Sequence, residues 1–310
     1  MSAVLSLRTA LGPHAHVRAL RDGTVASERV RLELIEVAEI TRAFRHMVRD
    51  SAFDVCEMAL VTEAQAHAFG KPITALPVVL TRGFHHGAIV CRAASAIRGP
   101  RDLSGKRVGV RAYSQTTGVW VRGILHAEYG VAPETVTWVT AEDAHVEEFR
   151  DPSNVVRTVG ERSLRQQLLD GDITAAIGLK GPDAEGTRTV IPNADDEAAV
   201  WYRKTGVYPV NHVVAVRSEL LEREPWLGAE LYALFSAAKK RASAYALPPA
   251  SGSSRQGRLA AMLGADPLRY GMAANRTSIE MLLGFAAAQG VTPRRYEVAD
   301  LFAKDLIDST

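Results

Sequence analysis

Lys106-Arg-Val-Gly-Val-Arg-Ala-Tyr-Ser-Gln-Thr-Thr-Gly-Val-Trp-Val-Arg-Gly-Ile-Leu-His-Ala-Glu-Tyr-Gly130 decides how this chain is read. Lys106–Val110 has the apolar character of a short strand. Ala112–Thr117 is a polar loop. From about Thr116 to Tyr129 the pattern predicts a helix, and Gly130 stops it, as glycine does in the left-handed cap position. Val136–Thr140 predicts the next strand. Strand, helix and strand in this order make a βαβ unit.

The alternation continues outward. Upstream, strands are predicted at Val4–Ala10, Val30–Val37, Phe53–Leu60, Ile73–Leu80 and Gly87–Arg92. Helices are predicted at His16–Arg21, Ile40–Val48 and Thr62–Phe69. Downstream come a helix at Ser163–Leu169, strands at Ile173–Ile177 and Val190–Ile191, and a helix near Asp195–Val200. A strand at Tyr208–Val216, a long helix at Pro225–Tyr245, a loop at Pro248–Gly257 and a helix at Asn275–Ala288 complete the chain. This order predicts an α/β protein with a mostly parallel sheet.

At 310 residues the chain is too long for one ordinary core and fits two domains. The order of elements predicts one discontinuous lobe from residues 1–95 plus 207–310, and an inserted second lobe from 96–206. Two crossings between lobes make a hinge. A central cleft is expected there, near the carboxyl ends of strands, where ligand pockets favour forming.

Charge narrows the partners. Lys plus Arg number 37 against 35 Asp plus Glu, a net of +2. That balance excludes nucleic-acid binding driven by bulk charge. No apolar run approaches the ~18 residues of a membrane span. Met1–Arg8 has no basic start and only a short apolar stretch, so no signal peptide is read and the expected location is the cytoplasm. Cys56 and Cys91 sit in apolar strand-like contexts and are read as buried free thiols. The expected partner is a small anionic ligand. Homo-oligomerisation stays open.

Candidate chemistry is dispersed, because no phosphate loop, paired-Cys site, HExxH or GxSxG is present. Tyr113, Ser114, Gln115, Thr116 and Thr117 open the helix after a strand. The unpaired N–H groups and positive end of a helix start suit a carboxylate. Arg82 can fork onto a carboxylate. His85 and His86 can transfer protons near neutral pH, although neighbours in an extended stretch point opposite ways. Glu57 lies inside an apolar strand, where a carboxylate needs a partner. His212 opens a strand. His14 and His16 follow the first strand. Arg122 is on the long helix beside Trp120, which reads as core, and Lys180 is on a loop. A divalent metal on the histidines and Glu57 is an open alternative to no cofactor.

Several segments together resemble one family. They are Phe53-Asp-Val-Cys-Glu-Met-Ala-Leu60, Arg82-Gly-Phe-His-His86, Asp102–Val110, Val119-Trp-Val-Arg-Gly-Ile-Leu125, Thr205-Gly-Val-Tyr-Pro-Val-Asn-His212 and Asn275-Arg-Thr-Ser-Ile-Glu280. In this order they resemble the 4,5-dihydroxyphthalate decarboxylases over nearly the whole chain. The resemblance implies a two-lobed periplasmic-binding-protein-like (type II) fold used as an enzyme. It implies non-oxidative loss of CO2 from a small anionic aromatic substrate, a hydroxylated aromatic acid, giving protocatechuate from 4,5-dihydroxyphthalate. His86, His212 and Glu57 are the expected catalytic residues. Arg82, His85, Tyr113–Thr117, Arg122 and His14 are the expected substrate contacts. His14-Ala-His16, Gly83-Phe-His-His86 and Tyr113-Ser-Gln-Thr116 depart from the family pattern and bear on the exact substrate. A non-catalytic binder of a small aromatic or carboxylate anion would share the fold and anchors.

Overall fold

The apolar, β-branched runs become strands, and the returning chain decides their directions. The structure, a computed structural model, describes residues 4–309 apart from 159, 161, 181–183, 243–258, 260 and 265. The predicted loop Pro248–Gly257 and the end of the Pro225–Tyr245 helix lie outside the described residues. The chain forms two compact units. One comprises Met1–Arg82, Val210–Glu280 and Tyr296–Thr310, the other Gly83–Pro209 and Met281–Arg295. The divisions thus fall at 82/83 and 209/210, where the sequence suggested 95/96 and 206/207. A late segment, 281–295, joins the inserted unit.

The first unit holds a five-stranded sheet. Its strands are β1 (Leu5–Ala10), β2 (Val30–Leu34), β3 (Val55–Ala59), β4 (Ile73–Arg82) and β11 (Val210–Arg217), in the order β2-β1-β3-β11-β4. β1 runs parallel to β2 and β3. β11, made after the insertion, enters antiparallel between β3 and β4. The second unit holds β5 (Ile89–Arg92), β6 (Arg107–Val110), β7 (Thr137–Thr140), β8 (Val155–Arg157), β9 (Ala175–Ile177) and β10 (Thr187–Thr189), in the order β10-β5-β9-β6-β7-β8. β6, β7 and β8 are parallel, whereas β5 is antiparallel to β9 and β10. Both sheets are therefore mixed, which corrects the expectation of a mostly parallel one. β8 is a three-residue strand that the sequence reading left out, and β10 lies at Thr187–Thr189, just before the strand expected at Val190–Ile191.

The helix at Thr116–Tyr129 has the predicted bounds, and Gly130 takes the left-handed conformation at its end (φ 69°). Gly123 lets this helix approach Phe285, since a Cβ there would stand 2.1 Å from the phenyl ring. In the first unit Val213, Val214, Ala215 and Val216 on β11 and Leu76, Val78, Val79 and Leu80 on β4 are fully or almost fully buried. Burying such side chains contributes about 1.5–3 kcal/mol each. Cys56 and Cys91 are both free and buried. Among the described residues, no helix is long and apolar enough to cross a membrane.

Candidate active site

Strand register explains how Glu57 acquires its partners. Residues on a strand alternate between faces, so Glu57 and Ala59 share one face of β3. Val214 lies opposite Glu57, and His212 lies opposite Ala59. His212 is thus the diagonal neighbour of Glu57 on the same face, within reach of a long side chain. Its Nδ1 is 2.6 Å from Glu57 Oε1. The other oxygen is reached from β1. The chain leaves β1 after Ala10 and passes over β3, so that Gly12 N–H donates to Glu57 Oε2 at 2.9 Å and His14 Nε2 lies 2.8 Å from the same oxygen.

Gly12 is required by space. A Cβ at that position would stand 2.7 Å from His14 Nε2 and 2.9 Å from Glu57 Oε2. Phe44, from the helix Ile40–Asp50, sets its ring edge-on to His212 at 5.1 Å. His16 stacks on His14 at 5.3 Å.

Glu57 has no solvent exposure, while the two histidine side chains are each 21% exposed. Burial by itself would raise the Glu57 pKa. The hydrogen bonds from His14 and His212 outweigh that and hold the carboxyl well below the usual carboxylate range. An ionised carboxylate only accepts, so both imidazoles donate to it. His212 then turns Nε2 away from Glu57, and His14 turns Nδ1 away. This carboxylate–histidine geometry fixes each ring's tautomer, as a buried acid does in hydrolase triads. One added proton makes one imidazole an acid while the other stays a base.

The remaining candidates fall elsewhere. Arg82 Nη1 donates to Asn275 Oδ1 at 2.9 Å. The Asn275 amide donates to the Arg269 and Gly271 carbonyls, at 3.0 and 2.7 Å, so Arg82 is braced inside the first unit. His85, His86, Tyr113–Thr117 and Arg122 all belong to the second unit.

His86, an expected proton donor, is buried in the second unit. It is 1% exposed, packs 5.4 Å from the Trp201 ring, and burial pushes its pKa down to about 4. It is a neutral core histidine at pH 7. His85 is also buried and stacks on Trp120. Arg122, an expected substrate contact, is fully buried. Its Nε donates to Gln289 Oε1 at 2.7 Å and its Nη2 to the Tyr113 carbonyl at 2.6 Å. Its guanidinium lies over the Tyr113 ring, whose hydroxyl donates to the Gln289 carbonyl. Arg122 and Tyr113 therefore hold the second unit together. Ser114 and Thr116 are buried at the helix start, and Gln115 and Thr117 are half-buried. Lys180 is exposed.

Sequence reasoning missed Gly12, and its only signal was Gly-Pro-His directly after a strand. Among the described residues no group of three or more His, Cys, Asp and Glu side chains is disposed to hold a metal ion. His14 and His212 direct one nitrogen each at Glu57.

A 4,5-dihydroxyphthalate decarboxylase of Comamonas testosteroni is 29% identical over 98% of this chain and 98% of that protein. Another, from Pseudomonas putida, is 34% identical over 57% of this chain and 72% of its own length. The chain belongs to the 4,5-dihydroxyphthalate decarboxylase family. The NMT1/THI5-like family model matches residues 30–151. Among solved structures, the periplasmic aliphatic sulphonate binding protein of Escherichia coli matches 98% of this chain and 99% of its own, at 12% identity and TM-score 0.59. The desulfurization enzyme DSZB matches 98% of this chain and 97% of its own, at 14% identity and TM-score 0.53. At these identities the likeness is one of fold: this member of the decarboxylase family has the two-lobed, periplasmic-binding-protein-like α/β fold.

Proposed function

We propose that this chain is a carboxy-lyase that removes CO2, without oxidation, from a hydroxylated aromatic carboxylic acid such as 4,5-dihydroxyphthalate, giving protocatechuate. The observation that carries this reading is the buried Glu57 carboxylate bridging His14 and His212 in a member of that family.

The chemistry needs a base and an acid at once. Each carboxyl-bearing carbon of 4,5-dihydroxyphthalate is para to a hydroxyl. A base takes that phenolic proton, and an acid delivers a proton to the carboxyl-bearing carbon, giving a dienone. The bond to the carboxylate then breaks, its electron pair returns to the ring, and CO2 leaves. The phenolate recovers its proton from the base. Water reprotonates the acid, so one proton is consumed for each CO2 released. A singly protonated pair of imidazoles on an ionised Glu57 supplies both groups. The Glu57 charge stabilises the imidazolium without accepting its proton.

The test is purified protein with 4,5-dihydroxyphthalate, following CO2 and protocatechuate, with and without an added divalent metal. Protocatechuate formation that is lost in both His14→Ala and His212→Ala supports the reading. Substrate recovered unchanged from the wild-type protein under all conditions would refute it and favour a binding protein.

A further inference from the structure

We propose that His16 is a positioning residue for this reaction, a buried ring that fixes the plane of His14 so that Nε2 stays on Glu57 and Nδ1 faces outward. The inference rests on the decarboxylase reading of the His14–Glu57–His212 group.

One hydrogen bond does not orient an imidazole. The ring torsion of histidine is broad, and rotation about the line from Nε2 to Glu57 Oε2 leaves that bond intact while swinging Nδ1. A second contact must stop the swing. For His212 the structure places Phe44 edge-on at 5.1 Å. For His14 it places His16, near-parallel at 24° with ring centroids 5.3 Å apart.

His16 is itself anchored. It has no solvent exposure. Tyr270 meets it edge-on at 6.4 Å. Lys239 Nζ lies 4.6 Å from the Tyr270 ring centre and is bound to Asp266 Oδ2 at 2.6 Å and to the Leu268 carbonyl at 2.5 Å. The chain from Lys239 through Tyr270 and His16 to His14 is continuous. The charged or titratable groups bearing on His16 are His14, Glu57 and Lys239. Burial, with the adjacent His14 second, pushes the His16 pKa down to about 4. His16 is therefore a flat, neutral wall at pH 7, and no second cation forms beside His14.

A pair of variants of similar bulk separates the ring from mere filling of space. His16→Phe keeps a flat ring, and His16→Leu fills the volume without one. Expected for His16→Leu is a kcat loss of about 10–100-fold with KM within about threefold, the scale of losses from misorienting a supporting group. His16→Phe is expected to recover to within about threefold of wild type. Aromatic 1H–13C relaxation spectra are expected to show the His14 ring fixed in wild type and His16→Phe, and mobile in His16→Leu, with the Nε2–H tautomer kept in all three. Wild-type kcat in His16→Leu, or His16→Phe as impaired as His16→Leu, would overturn the proposal. The spectra need no turnover. Wild-type protein that releases no CO2, yet whose His14 ring becomes mobile in His16→Leu, supports the positioning role and refutes only the decarboxylase reading.

Discussion

Replacing Glu63 with glutamine should make the protein more stable, by an amount set by pH. Glu63 stands in the first turn of the helix Leu60–Ala68 with no solvent exposure. Neither carboxyl oxygen finds a hydrogen-bond partner among the described residues. Burial alone pushes its pKa from 4.5 up to about 8. In the unfolded chain the group ionises near 4.5; in the folded chain it keeps its proton to about 8. The folded state thus binds the proton more tightly. Wild-type stability falls as pH rises from 4.5 and levels off above 8. At about 1.4 kcal/mol per pH unit, the cost is about 3 kcal/mol at pH 7 and about 5 kcal/mol at pH 9. Glutamine has the same shape and no charge to suppress. Urea unfolding followed by circular dichroism should show Glu63→Gln equal to wild type near pH 4.5, ahead by about 3 kcal/mol at pH 7 and by about 5 at pH 9. A difference that does not change with pH, or a wild type that is the more stable at pH 9, would refute the reasoning.

Three further outcomes are expected. Glu57→Gln sets an amide N–H against one imidazole N–H, and steady-state CO2 release should fall at least about a hundredfold while the circular dichroism spectrum is kept. Gly12→Ala pushes a methyl against His14 and Glu57 together, so kcat should drop about tenfold or more; an unchanged kcat would show that His14 does not need its place on Glu57. His86→Phe should leave kcat intact. Because the folded pKa of His86 is lowered, wild type loses stability as pH falls from about 6.5 towards 4, and the variant should gain about 2 kcal/mol relative to wild type at pH 5 in the same urea assay.

Much of the fold was legible in local pattern. The helix Thr116–Tyr129 was read to the residue because its end carries a left-handed glycine. Strand direction was not legible: the run around Val213–Val216 looks the same whether it enters parallel or antiparallel, and only its neighbours decide. β8 and β10 are too short to show a period, and each carries an arginine. That Glu57 required a partner was readable from a carboxylate among apolar residues. Its partners come from positions 43 and 155 residues away, which no local pattern encodes. The surroundings of His85 and His86 were not legible either: a one-turn 3-10 helix at His86–Ala88 sets His86 against Trp201.

The antiparallel entry of β11 has a consequence for biosynthesis. Glu57 leaves the ribosome 155 residues before His212, a delay of about 8–30 s at synthesis rates of about 5–20 residues per second. From the synthesis of β4 until that of β11, β3 and β4 lack the strand that joins them, and each presents open backbone groups of the kind that recruit other chains. Gly83–Pro209 is translated entirely within that window. A nascent chain halted before residue 210 carries every strand of the first sheet except the one that joins β3 to β4, which makes it the natural target for holding chaperones.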